Sequence, residues 1–193
     1  DIEKVIGLDF SMKELYVDSN GYSANFPRFF RQAQEKLAKE QRKFSHRKPG
    51  SKRYEKQKLK VAKIHEHIAN QRKDFLHKES YILSNNYDMV CVEDLNMQAM
   101  SQCLNFGKSV SDNGWGMFRT FLKYKLENQG KQLFVVDKWF PSSKMCNVCG
   151  VINKQLTLAD REWTCDCGTF HNRDHNSAIN LRNVGIKTTG TVG

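Results

Sequence analysis

The apolar positions of this 193-residue chain fall into blocks of two different periods. Ile2 to Phe10 (IEKVIGLDF) is a short apolar run that predicts a buried strand. KELYVDSNGYSANF follows it and carries the Asn20-Gly21 pair of a hairpin turn, so the chain is expected to open as strand, strand, turn, strand. After Pro27 the period lengthens. Phe30, Leu37 and Phe44 recur every seven residues with Ala33 between them, and Val61, Ile68, Phe75 and Ile82 repeat the interval with Ile64 in register. HRKPGSK (46–52) interrupts the two runs, which predicts a long helical hairpin whose apolar seams face one another or a sheet. Tyr87 to Leu95 (YDMVCVEDL) reads as a second buried strand, and SQCLNFGKSVSDNG (101–114) has little periodicity. Trp115, Phe118, Leu122 and Leu126 then form a helical stripe stopped by Gly130, and these aromatics suit a core better than a base-stacking platform. QLFVVDKWF (132–140) predicts a strand closed by Pro141; Asp174 to Val184 predicts a short helix, with a frayed tail from Gly185.

This length can bury one core with a small satellite domain. No run of about 18 apolar residues and no signal-peptide pattern occurs, so a soluble intracellular protein without a membrane partner is expected. Two cysteines without evident mates, Cys91 and Cys103, suit a reducing compartment. The chain opens at Asp1 without Met, as expected of a piece of something longer. Its formal charge of +10 is concentrated: residues 28–63 hold 14 Lys/Arg against three Asp/Glu, while the remainder holds 17 against 18. A solvated helix face ordinarily mixes signs, so this excess predicts phosphate-backbone binding with little sequence content by the hairpin. Arg42, Lys43, Arg47, Lys48, Lys52, Arg53, Lys56 and Lys60 are the candidate contacts.

Chemistry is densest between Ser143 and Leu181. Cys146/Cys149 and Cys165/Cys167 form two pairs with 15 residues between them, and Gly150 and Gly168 follow the second cysteine of each. Two such turns place four thiolates where one tetrahedral zinc ion can hold them. The second pair is Cys-x-Cys, so either its turn is tighter or His171 replaces one sulfur. Two disulfides or four free thiols are the rival states.

Three carboxylates also occupy unusual places. Asp9 lies inside an apolar strand, where burial is costly without a cation, and Asp174 heads the last helix. Glu93 and Asp94 end a strand; neighbours on a strand point to opposite faces, so only one of them can join Asp9, and Glu93 is favoured. If the two strands pair in parallel beneath the last helix, Asp9, Glu93 and Asp174 converge. Hard divalent cations would balance them, and two Mg²⁺ ions would suit phosphodiester hydrolysis. A non-catalytic zinc-containing nucleic-acid-binding module and a transposase performing strand transfer are the alternatives.

The order of GLDF, NQRKDFLHK, VEDLN, WFPSSKMCNVCG, REWTCDCG and HNRDHNSAINL resembles the C-terminal half of TnpB proteins, encoded by insertion sequences and related to type V CRISPR effectors. The resemblance implies an α/β, ribonuclease H-like (RuvC) mixed sheet with the helical hairpin insertion and a four-Cys zinc knuckle. In this reading residues 1–140 are the nuclease core, with 28–84 as its basic insertion. Residues 141–171 are the knuckle, and 172–193 the last helix and tail. It further implies Asp9, Glu93 and Asp174 as catalytic acids holding Mg²⁺, Cys146, Cys149, Cys165 and Cys167 as ligands of one structural zinc, and RNA-guided DNA cleavage. A DNA target and a guide RNA are the implied partners, in a prokaryotic cytoplasm near the nucleoid. Asn172 stands where many relatives carry Asp. The family's N-terminal wedge and recognition domains have no counterpart in the sequence.

Overall fold

The computed structural model describes residues 2–96, 114–157 and 159–190; Cys103 and most of the aperiodic segment 101–114 lie outside them. In chain order the elements are β1 (Val5–Ser11), β2 (Leu15–Asp18), α1 (Phe29–Ser45), α2 (Lys52–Asn86), β3 (Met89–Glu93), α3 (Trp115–Asn128), β4 (Gln132–Val136), β5 (Glu162–Thr164), β6 (Phe170–Asn172) and α4 (Arg173–Thr189). Four strands form a mixed sheet of order β2-β1-β3-β4, in which β2 runs antiparallel to β1 while β1, β3 and β4 are mutually parallel.

Alternation along the strands decides the two faces of the sheet. Ile6 and Leu8 of β1 and Val90 and Val92 of β3 join Tyr16, Leu76, Leu83, Trp115, Phe118, Leu122 and Leu126 in the main core, roofed by α2 and α3. Met89 and Cys91 point the other way and meet Leu181 of α4 with Val136. The register Leu8↔Val92 and the placement of Val5 and Gly7 under α4 put Asp9 and Glu93 on that second face, each one residue beyond the paired positions. Glycine permits the close approach of α4: a side chain at Gly7 would overlap the Ala178 carbonyl, and one at Gly185 would overlap the Cys91 sulfur.

Several expectations are corrected. No third N-terminal strand forms: Asn20-Gly21 makes a tight turn in which Asp18 N–H donates to the Tyr22 carbonyl at 2.9 Å, and beyond it Ser23 makes a single bridge to Val17. The positive φ of 53° at Asn25 and then Pro27 divert the chain before a strand can continue. The strand expected over 132–140 stops at Val136, because the Asp137 carboxylate accepts the Trp139 N–H at 2.7 Å and starts a turn ahead of Pro141. The last helix does not end at Val184. It runs to Thr189 because Gly185, packed against β3, is a helix-interior close contact rather than a stop.

The hairpin forms as two helices of 17 and 35 residues. Ser51 caps α2 by accepting the Tyr54 N–H at 3.2 Å. Gln57 donates to the Glu40 carbonyl and carboxylate at 3.0 and 2.7 Å, and the Phe44 and Tyr54 rings meet at 4.7 Å, so the two helices are tied at their shared end. The seven-residue spacing fails at Ile82, which is 50% exposed, while Leu76 and Leu83 are buried. A straight helix drifts about 20° per heptad, so over three heptads the buried stripe moves to the adjacent residue. Lys125 of α3 fixes the contact with α2, donating to the His77 carbonyl at 2.6 Å and the Ser80 hydroxyl at 2.7 Å. Among the described residues no helix is long and apolar enough to cross a membrane.

Candidate functional site

The knuckle is a two-stranded sheet, β5 against β6, with the Cys146 turn packed on it. Cys146, Cys149, Cys165 and Cys167 offer sulfurs all within 4.8 Å of one another, and no other such group of four occurs among the described residues. Cys146 and Cys167 sulfurs lie 3.8 Å apart, and Cys149 and Cys165 3.5 Å. A zinc–sulfur bond of about 2.3 Å places tetrahedral sulfurs about 3.8 Å apart, so the four thiols fit one zinc ion. The Cys-x-Cys turn is therefore tight enough to supply both sulfurs. His171 is not needed as a ligand: its Nε2 stands 3.1 Å from the Cys146 sulfur, its ring packs on Trp163 at 4.6 Å, and burial lowers its pKa, which favours the neutral imidazole. Hydrogen bonds from the Thr169 hydroxyl and then its amide pull the Cys167 thiol down to about 6, while burial and the neighbouring thiols push Cys149 and Cys165 up, so the four sulfurs do not all ionise without a cation between them.

Two asparagines of α4 clamp the knuckle to the sheet. Asn176 donates to the Met145 carbonyl at 2.8 Å and accepts the Asn147 N–H at 3.0 Å. Asn180, one turn on, donates to the Ser142 and Met145 carbonyls at 2.8 and 2.7 Å. Both side chains are only 1% exposed. Asn172 caps the helix, accepting the His175 N–H at 3.2 Å, a role in which Asn and Asp are equivalent.

Asp9, inside β1, and Glu93, the last residue of β3, lie on neighbouring parallel strands on the side that faces α4, which carries Asp174 in its first turn. Asp9 accepts a 2.7 Å hydrogen bond from the Ser177 hydroxyl. Burial raises the Asp9 pKa well above the carboxylate range; the Ser177 bond opposes this, while the charges of Asp174 and Glu93 push it further up and Arg173 opposes them. Burial and then the Asp94 charge raise Glu93 as well. Asp94 itself turns outward and lies 3.9 Å from Arg119 of α3. Asp174 is held by two arginines, Arg173 at 3.3 Å and Arg161, at the foot of the knuckle, at 3.5 Å. The three carboxylates do not close to the spacing of the cysteine sulfurs. All are oxygen donors, and Asp9 and Glu93 are disfavoured as charges by burial and by neighbouring carboxylates, a cost that a hard divalent cation would relieve.

All eight basic residues singled out on the hairpin are exposed, and Lys43 pairs with Glu40 at 2.8 Å. Sequence reasoning missed Ser177, Arg161, Arg173, Asn176 and Asn180. For the α4 residues a signal existed: polar side chains at helical spacing, 173/174/177 on one side and 176/180 on another.

A mixed sheet flanked by helices, with a four-cysteine knuckle inserted before the last helix, defines an α/β protein with a candidate metal-binding insertion. Residues 1–104 match the family described as "Probable transposase", and residues 115–181 match the Cas12f1-like TNB domain. The chain belongs to the TnpB family. A "Putative RNA-guided DNA endonuclease" of Streptomyces pristinaespiralis is 39% identical over 181 residues, covering 94% of this chain and 45% of that protein. "Putative RNA-guided DNA endonuclease InsQ" of Escherichia coli (strain K12) is 32% identical over 197 residues, 94% of this chain and 49% of that protein. The chain thus spans about half the length of these relatives. Among solved structures, the Cas12f1–sgRNA–target DNA complex aligns with a TM-score of 0.67 at 19% identity, over 95% of this chain and 50% of the solved one, which is a likeness of fold.

Proposed function

We propose that this chain is the metal-dependent nuclease part of an RNA-guided DNA endonuclease, with a ribonuclease H-like (RuvC) fold and Asp9, Glu93 and Asp174 as its catalytic acids. The observation that carries the reading is their common location: Asp9 inside β1, Glu93 at the end of the adjacent parallel β3, and Asp174 a turn before Ser177, the residue bonded to Asp9. The names of the relatives agree in direction.

Asp9, Glu93 and Asp174 would hold Mg²⁺, which when bound as a pair of ions would supply an activated water and stabilisation of the leaving oxygen. Ser177 fixes the Asp9 carboxylate rotamer. Arg161 and Arg173 neutralise Asp174. The basic insertion, residues 28–84, holds the nucleic-acid backbone, and the knuckle, residues 141–171, anchors α4. In this reading residues 1–140 and 172–193 together make the catalytic core, with target DNA and guide RNA as partners of the full-length protein in the cytoplasm.

The test is cleavage of guide-matched DNA by a full-length protein carrying this segment, with and without guide RNA and Mg²⁺. Asp9→Ala is expected to abolish cleavage while leaving DNA binding nearly unchanged; cutting at the parental rate would remove the assignment. One observation favours a second reading, a zinc-containing nucleic-acid binder: Asp174 is already paired with two arginines. That reading expects salt-sensitive binding without divalent-dependent turnover.

A further inference from the structure

We propose that Trp139, with Lys138, is a stacking platform for an unpaired base of a nucleic-acid single strand, next to the acid face. Trp139 is 80% exposed, whereas the other two tryptophans, Trp115 and Trp163, are 1% and 8% exposed. The exposure is built into the turn. Val136 pairs with Glu93, and its carbonyl accepts the Asp94 N–H at 2.9 Å, so β3 and β4 end together. Three residues later the Asp137 carboxylate holds the Trp139 N–H, and the Phe140 N–H donates to the Asp137 carbonyl at 3.0 Å. Phe140 packs inward on the cluster of Met89, Cys91, Val136 and Leu181, which turns its neighbour outward. The chain then passes to Ser142, whose carbonyl is gripped by Asn180 of α4. Trp139 therefore stands on a fixed turn between the strand end that carries Glu93 and the helix that carries Asp174.

Two features select the occupant. The Lys138 ammonium lies 5.0 Å from the centre of the Trp139 ring, leaving the opposite face of the indole for a flat partner and adding a cation for its phosphate. The chain's excess charge lies on residues 28–63, so at this turn Lys138 itself is the cation that favours a phosphate-bearing partner over a neutral or basic protein surface. A base in a duplex has both faces covered by its neighbours, so the partner is a base without a stacked neighbour on one side. This inference rests on the nucleic-acid reading above but not on turnover.

Intrinsic fluorescence reads the site, since the two remaining indoles are buried. A single-stranded oligonucleotide of about ten nucleotides, DNA or RNA, is titrated into the whole chain without divalent ions, alongside an abasic sugar-phosphate chain of equal length. Base-dependent quenching is expected, absent with the abasic chain and absent in Trp139→Phe, which retains affinity within about threefold. Trp139→Ala should lose about five- to 150-fold, the range for one stacked base. Equal quenching by the abasic chain, or unchanged affinity of Trp139→Ala, would overturn the proposal. Base-dependent quenching by the wild-type chain, when its full-length parent never cuts guide-matched DNA, would leave the platform standing and remove only the nuclease.

Discussion

Gly7 of β1 lies so close beneath the backbone carbonyl of Ala178 that no side chain fits between them. The contact sets the height of α4 above the sheet, and with it the distance from Asp9 to Asp174. Gly7→Ala is expected to lift the helix and destabilise the chain by about 1–3 kcal/mol, as overpacking of a close contact does. Urea denaturation followed by circular dichroism measures it. An unchanged midpoint would mean that α4 is not seated on β1 in solution.

The knuckle is expected to contain one zinc per chain, by elemental analysis. Chelation should release Trp163 from His171 and redden its emission while the sheet signal persists. Protein free of zinc, with Cys146, Cys149, Cys165 and Cys167 oxidised in pairs, would remove the metal assignment.

Glu79 is 8% exposed on α2 and accepts a 2.7 Å hydrogen bond from the Tyr16 hydroxyl. Burial raises its pKa, with the Tyr16 bond acting in the opposite sense. A folded pKa above the unfolded one contributes stability below the ordinary carboxylate range and loses it as pH rises through the folded value. Glu79→Gln keeps an acceptor for Tyr16 and removes the titration. Its melting temperature relative to the wild type should therefore rise as pH increases above the ordinary carboxylate range, and a pH-independent difference would refute the role of Glu79.

On the hairpin, replacing Arg42, Lys56 and Lys60 by Glu should weaken binding alike for unrelated oligonucleotide sequences and flatten the dependence on salt. These side chains are exposed and far along α1 and α2 from the sheet, so the melting temperature should not fall. A sharp change in sequence preference would show base reading instead.

Local patterns were readable in the sequence where one element determines them. Cysteine spacing announced the sulfur cluster, and strict alternation separated Glu93 from Asp94 before any fold was known. The stripe of Trp115, Phe118, Leu122 and Leu126 is wholly buried, as its period requires. Features that depend on two distant segments were hidden. Nothing in the order of residues says that Ser177 reaches Asp9 or that Arg161 reaches Asp174, because each contact spans the sheet-to-helix or knuckle-to-helix interface. Ile82 was misplaced because a fixed seven-residue count ignores the true helical pitch. The extent of α4 was misjudged because a glycine chosen for close packing looks, in sequence, like a glycine chosen to end a helix.

Placing the knuckle between β4 and α4 also orders events during translation. A nascent chain that has emerged as far as Val136 has all four strands of the main sheet, yet Met89 and Cys91 have no covering helix. That bare apolar surface waits for Leu181, 45 residues further on, and all four cysteines of the knuckle emerge before it. A ribosome that stalls in this interval leaves a sticky, half-roofed sheet, so chaperone demand should peak there rather than earlier.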